Sequence, residues 1–210
     1  MTALWGQSAL PLFHRLSELP LAAKSERIHI CMAPLLNLLS IQDQTMFNLD
    51  RWDEIGRDRN IATLSGRCET NRNGQVLLGR YLPFDHGARM AEIALQMRHY
   101  LPDGKATVEC PISTSEGIKV ADVVWISKAR LKQVGGRAAL KGAPEICVEV
   151  LSKSNTREEI EEKRRLYFEA GAKEVWLCGH TGRMLFFLHT APEQSVKASI
   201  LCPDMPSKLK

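Results

Sequence analysis

The sequence predicts an α/β fold in which a mixed central sheet is flanked by helices, and three stretches predict it. Residues 144–178, PEICVEVLSKSNTREEIEEKRRLYFEAGAKEVWLC, read as strand, turn, helix and strand, the pattern of two parallel strands joined by a crossover helix. KATVECPIST (105–114) and IKVADVVWIS (118–127) flank the turn SEG, and so short a connection makes them an antiparallel pair. HGARMAEIALQMRHYL (86–101) sets Met90, Ile93, Ala94, Met97 and Leu101 at helical spacing, which describes one amphipathic helix ahead of the sheet. Parallel and antiparallel joints in one chain call for a mixed sheet.

Composition bounds the rest. With 210 residues and 44% hydrophobic content, the chain can bury one substantial core. A formal charge of +4 permits a polyanionic partner without demanding one. The six cysteines (Cys31, Cys68, Cys110, Cys147, Cys178 and Cys202) stand singly, with no CxxC and no zinc spacing, and read as small buried hydrophobes in a reducing compartment. The N-terminus has no charged head or cleavage site of a secretory signal. The longest apolar run, 28–41, contains His29, Pro34 and Asn37 and is too short to cross a bilayer, so a cytoplasmic protein without a membrane partner is expected.

In chain order, residues 1–44 form an N-terminal extension interrupted by Pro11, Pro20 and Pro34, with helical turns at most in MAPLLNLLSI and no chemistry assigned. The main domain is placed at 45–202 and a tail at 203–210. From Phe47, NLDRWDEIGRD reads as a short helix with Asp50 as its cap. IATLSGRCET and QVLLGRY then read as strands of a hairpin around NRNG. Glu69 ends the first of them and faces either solvent or a site. His86 and His99, at the two ends of the amphipathic helix, have no partners at metal spacing and are not site candidates.

The strand 118–127 places Val120, Asp122, Val124 and Ile126 on one face, so Asp122 is an aspartate among valines. A lone buried aspartate of this kind first suggests a turn cap or an arginine partner. One connection later, however, Glu149 shares a face with Cys147 and Leu151. Two carboxylates among apolar neighbours raise each other's pKa or draw in a cation. Between them, SKARLKQVGGRAALKG holds Lys128, Arg130, Lys132, Arg137 and Lys141 without an acid. Such a run is an ordinary solvated surface, or the loop that a phosphate backbone meets first.

Thr156 with Glu159 three residues on is a capping box, so a helix begins near Arg157. At about 100° per residue, Ile160, Lys163, Arg164, Tyr167 and Phe168 share its inward stripe, and Gly171 closes it. Lys163 therefore lies on a packed face. After Cys178, GHTGR turns into the hairpin strand MLFFLHT. The remainder contributes an edge strand near Val196–Cys202 and then a frayed end.

Asp122, the series Glu149-Val150-Leu151, Lys163 and Tyr167 together resemble the PD-(D/E)XK nuclease superfamily, and more narrowly its Uma-type family of restriction endonucleases. The matching segments are VADVVWIS (120–127), GAPEICVEVLSKSN (142–155), KRRLYFEAGAKEVWL (163–177) and, more loosely, CETNRNGQVLL and HGARM. The superfamily usually sets its lysine two residues after the acid; here that position is Leu151, and Lys163 on the following helix takes the role. The proline expected before the aspartate is Ala121. The resemblance implies a restriction-endonuclease-like core and metal-dependent hydrolysis of phosphodiester bonds in DNA. Asp122, Glu149 and the Val150 carbonyl would hold Mg²⁺, with Mn²⁺ as a substitute. Lys163 would orient or help deprotonate the attacking water and stabilise negative charge, Glu69 would complete the site by binding a metal-bound water or a second ion, and Tyr167 would pack with its hydroxyl towards it. By analogy, nucleases that cut both strands pair as homodimers. The alternatives are an inactive nucleic-acid-binding module on the same fold, or a scaffold in which Lys163 pairs with Glu149 as a buried ion pair.

Overall fold

The computed structural model describes residues 40–62, 67–79, 82–135 and 137–209. Readings that concern residues 1–39, including the helical turns in MAPLLNLLSI, lie outside the described residues, as does the middle of IATLSGRCET. The elements are α1 (Ile41–Arg57), α2 (Arg59–Ala62), β1 (Cys68–Thr70), β2 (Val76–Leu78), α3 (Phe84–Tyr100), β3 (Gly104–Thr114), β4 (Gly117–Ser127), α4 (Lys128–Val134), β5 (Ile146–Val150), α5 (Arg157–Glu169), β6 (Glu174–Cys178), β7 (Met184–Leu188) and β8 (Ala191–Val196).

The main sheet has six strands in sequence order, β3-β4-β5-β6-β7-β8. Only β5 and β6, the pair joined by α5, run parallel; the other neighbours are antiparallel. This is the mixed sheet expected. Strand alternation divides the core. Ile146, Val148 and Val150 face α3, packing with Met90, Ile93 and Met97 as well as Trp176 and Phe186. Cys147 faces α5, packing with Ile160, Tyr167 and Phe168 as well as Val175 and Leu177. Both β5 and β6 are buried along their whole length, because a helix covers each face.

α5 starts where the capping box predicts, with Thr156 Oγ1 accepting from the Glu159 amide and Glu159 bonding back to the Thr156 amide. Gly171 follows at φ 102°, a left-handed position that suits glycine.

Four local expectations are corrected. The helix placed from Phe47 begins at Ile41, so Asp50 is mid-helix and pairs with Arg137 rather than capping. The residue 45 boundary thus falls within a helix, and one compact unit spans Ile41–Lys210. In place of a strand from Ile61, helix α2 covers Arg59–Ala62 and the strand is only Cys68–Thr70; it needs only three residues to pair with β2. The edge strand is Ala191–Val196 rather than Val196–Cys202. The tail is not frayed: Cys202, Met205 and Leu209 are buried in the α3 side of the core. Their apolar side chains supply hydrophobic burial that a reading of the terminal prolines and lysines overlooks.

Candidate active site

The β4–β5 ladder supplies the pairs Trp125↔Ile146, Val124↔Cys147 and Val123↔Val148 and goes no further. One residue beyond it the strands carry Asp122 and Glu149, so the two carboxylates stand at a fork where the backbone pairing has opened. The Val150 amide donates to Asp122 Oδ2 at 2.5 Å. Both side chains are buried, Asp122 at 1% and Glu149 at 4% exposure, which demands specific partners for each.

Those partners come from the β1–β2 hairpin and from α5. The β1–β2 hairpin lies against the start of β4, where the Ile118 amide donates to Thr70 Oγ1. Alternate residues Arg67 and Glu69 therefore reach the same cleft. Glu69 Oε1 accepts from the Val120 amide at 3.0 Å and from Lys163 Nζ at 2.8 Å. Lys163 Nζ also lies 3.4 Å from Glu149 Oε2 and from the Val120 carbonyl. Arg67 Nη1 is 2.6 Å from Asp122 Oδ1, and its Nη2 donates to the Val120 carbonyl. The Tyr167 hydroxyl donates to Glu149 Oε1 at 2.6 Å.

Burial and charge pull the ionisations apart. Burial pushes the Glu149 carboxyl up to about 7, despite Lys163. Burial also works against the Asp122 carboxylate, but the His86 contact, Arg67 and the Val150 amide outweigh it and hold its pKa below the ordinary range. Glu69 is likewise depressed, burial being outweighed by Lys163. For Lys163, burial opposes the charge, and Glu149 and Glu69 raise its pKa above the usual ammonium value. At neutral pH Lys163 is therefore a cation and not a base.

The four residues expected from sequence to do chemistry, Asp122, Glu149, Lys163 and Glu69, thus line one open cleft of about 1100 Å³. Lys163 bonds to Glu69 more closely than to Glu149, and Tyr167 reaches the site through its hydroxyl.

None of the five loop residues Lys128, Arg130, Lys132, Arg137 and Lys141 lines this cleft. The loop begins as helix α4 at the end of β4 that pairs with the start of β5, whereas the cleft opens beyond the end of β5. Arg130 is committed to the fold, donating to the carbonyls of Ala143, ahead of β5, and of Ala170, at the C-terminus of α5. Arg137 pairs with Asp50 and Asp53. Basic side chains that do line the cleft include Arg67, Arg89, Lys119, Lys153 and Lys163.

Sequence reasoning missed three site groups. Arg67 precedes a three-residue strand and carries no local signature. His86, set aside for want of partners at metal spacing, is buried with Nε2 3.4 Å from Asp122 Oδ1. Glu109 holds a left-handed backbone (φ 50°) where β3 skips a pairing between Val108 and Cys110, and its Oε2 lies 3.4 Å from Arg67 Nε. A non-glycine residue in that conformation is itself a sign of constraint.

Among the described residues no three His, Cys, Asp or Glu side chains converge as a metal cage. The donor set fits a hard ion that keeps much of its water: two carboxylates on adjacent strands plus a backbone carbonyl. Asp122 Oδ1 is buried without a hydrogen bond, and Glu149 is a carboxyl whose burial calls for a cation.

Replacing Tyr167 by Phe would remove the hydroxyl that donates to Glu149. A loss of about 1–3 kcal/mol is expected at neutral pH, the cost of stranding a buried acceptor. Denaturant titration in EDTA measures it, and an unchanged midpoint would refute the assignment.

The family model "Uma2: Putative restriction endonuclease" matches residues 60–203, a span that holds every cleft residue named above. A crystal structure described as a "putative nuclease belonging to DUF820" from Anabaena variabilis superposes with a TM-score of 0.50 at 15% identity, covering 63% of this chain and 78% of that one. At that identity the likeness concerns the fold. No curated protein matches the chain.

Proposed function

Since the chain belongs to the Uma2 family of restriction-endonuclease-like proteins, we propose that it is a divalent-metal-dependent endonuclease that hydrolyses phosphodiester bonds in DNA. The observation that carries the reading is the fork between β4 and β5, which places Asp122 and Glu149 together and sets a charged Lys163 beside Glu149.

Asp122, Glu149 and the Val150 carbonyl would hold Mg²⁺ or Mn²⁺. When bound, such an ion supplies a polarised phosphate oxygen and an acidified water. The chain's own side chains do the rest. Lys163, kept protonated by two carboxylates, stabilises negative charge developing on the phosphate and orients water. Glu69 holds the Lys163 ammonium in place through the 2.8 Å bond while anchored by the Val120 amide; it is a positioning residue. Tyr167 fixes the orientation of Glu149. Of the basic residues of the cleft, Arg89 and Lys153 are suited to the phosphate backbone and position it without reading sequence. A homodimer would place two such clefts on the two strands of a duplex.

Supercoiled plasmid incubated with the protein in Mg²⁺, Mn²⁺ or EDTA tests the reading. Nicked and linear products in either metal and none in EDTA are expected. No conversion under any metal would end it. A structural alternative also has an observation behind it: Arg67 and Lys163 already neutralise buried carboxylates, as a scaffold's ion cluster would. In that case Mn²⁺ would neither bind nor raise the melting temperature.

A further inference from the structure

Among the described residues, four buried side-chain polar atoms have no hydrogen-bond partner: Arg67 Nε, His86 Nε2, Glu109 Oε1 and Asp122 Oδ1. All four belong to one cluster around Asp122. Native interiors satisfy nearly all such atoms, and an exception calls for a physical reason. Here the unsatisfied groups gather around Asp122, whereas the Lys163–Glu69 pair is directly hydrogen-bonded.

Arg67 is central to that cluster. Its Nη1 approaches Asp122 Oδ1 to 2.6 Å without hydrogen-bond alignment, and its Nε lies 3.4 Å from Glu109 Oε2 with no directed bond either. The well-aligned bond of the guanidinium goes to the Val120 carbonyl. The guanidinium thus supplies charge to Asp122 while Arg67 Nε and Asp122 Oδ1 stay without a hydrogen bond. Glu109 offers a second carboxylate from a constrained backbone at the same guanidinium. A cation held this way gives up no directed hydrogen bond to Asp122 when another cation takes its place.

We propose that Arg67 is a resident counter-cation that a divalent ion must displace from Asp122, and that a nucleic-acid phosphate gives the displaced guanidinium its new partner. This deepens the nuclease reading and rests on it. Metal and nucleic acid then bind cooperatively. The ion takes the Asp122 oxygen that Arg67 neutralised, and the phosphate supplies the bidentate anion that a guanidinium prefers. Without nucleic acid, metal binding is weakened by the positive charge already beside Asp122. By linkage, whatever factor nucleic acid adds to metal affinity, metal adds to nucleic-acid affinity.

Mn²⁺ titration by calorimetry of the full chain, with and without a short duplex bearing non-bridging phosphorothioates to block cleavage, tests the proposal. For the wild-type protein the duplex should tighten Mn²⁺ binding. Arg67→Met should tighten Mn²⁺ binding in the absence of duplex by about tenfold or more, as expected for removing a charge at contact distance, and should abolish the effect of the duplex. Arg67→Lys keeps the charge without the two-point contact; it should bind Mn²⁺ more tightly than wild type but less than Arg67→Met, and it serves if the methionine variant does not fold. Equal Mn²⁺ affinity in wild type and the variants would overturn the role of Arg67 while leaving the metal site standing. Failure of all of them to bind Mn²⁺ would overturn both.

Discussion

Glu149→Gln is expected to abolish cleavage and, in the metal-free protein, to make the fold more stable above neutral pH. The first effect follows from loss of a charged oxygen that holds the ion, and a fall on the order of 10³-fold or more in rate is anticipated. The second follows from burial, which raises the carboxyl from 4.5 to about 7 in the folded chain. Between those values the folded state holds a proton that the unfolded chain has released. Stability from this group is therefore fully present below 4.5, falls as pH rises, and is lost above 7. The difference corresponds to about 3 kcal/mol. Glu69 and Asp122, whose carboxyls are depressed, act in the opposite sense, losing their contribution only as the solution becomes acid. Denaturant unfolding in EDTA at pH 5 and pH 8 separates these effects. The wild-type protein should lose stability between the two, the glutamine variant should lose much less, and Mn²⁺ should restore the wild type at pH 8. Equal pH slopes for the two proteins would show that Glu149 is not the strained carboxylate described.

Glu174→Ala should produce a large loss of stability without touching the cleft. Glu174 is buried at 1% exposure and accepts four hydrogen bonds, from Trp176 Nε1, Ser199 Oγ and the amides of Ile200 and Leu201. Through them strand β6 holds the segment that leads Cys202, Met205 and Leu209 into the core. Removing the carboxylate strands those donors, at a cost on the order of 3 kcal/mol or more. For a chain of this size that is a drop of roughly 6–12 °C in Tm. Differential scanning calorimetry measures it. A change of a degree or less would mean that apolar packing alone secures the tail.

Much of the site was legible because strand and helix periods are short-range geometry. A period of two puts Glu149 with Cys147, and the structure keeps that face, where Tyr167 meets it. A period of 3.6 puts Lys163 with Ile160 and Tyr167 on the inward side of α5. The capping box set the start of that helix within a residue. Arg67 was invisible for the converse reason. Its partners Asp122 and Val120 are more than fifty residues away, and only the docking of the β1–β2 hairpin on β4 brings them together. His86 sat at a recognisable helix start, yet its nearest acceptor lies two strands further on. For the basic loop, charge composition carries no direction: the run is real, and β4 carries it to the end of the sheet opposite the cleft.

By itself, then, the order of residues determined the mixed sheet, the crossover helix and which side chains break the apolar rule, because local periodicity and capping act within a few residues of chain. The tertiary structure alone decided that the β4–β5 ladder stops at Val123↔Val148, that Arg67 faces Asp122, and that the tail is core. Those outcomes depend on contacts between segments far apart in the chain, where the cost of burying a charge is settled by whichever partner the fold delivers.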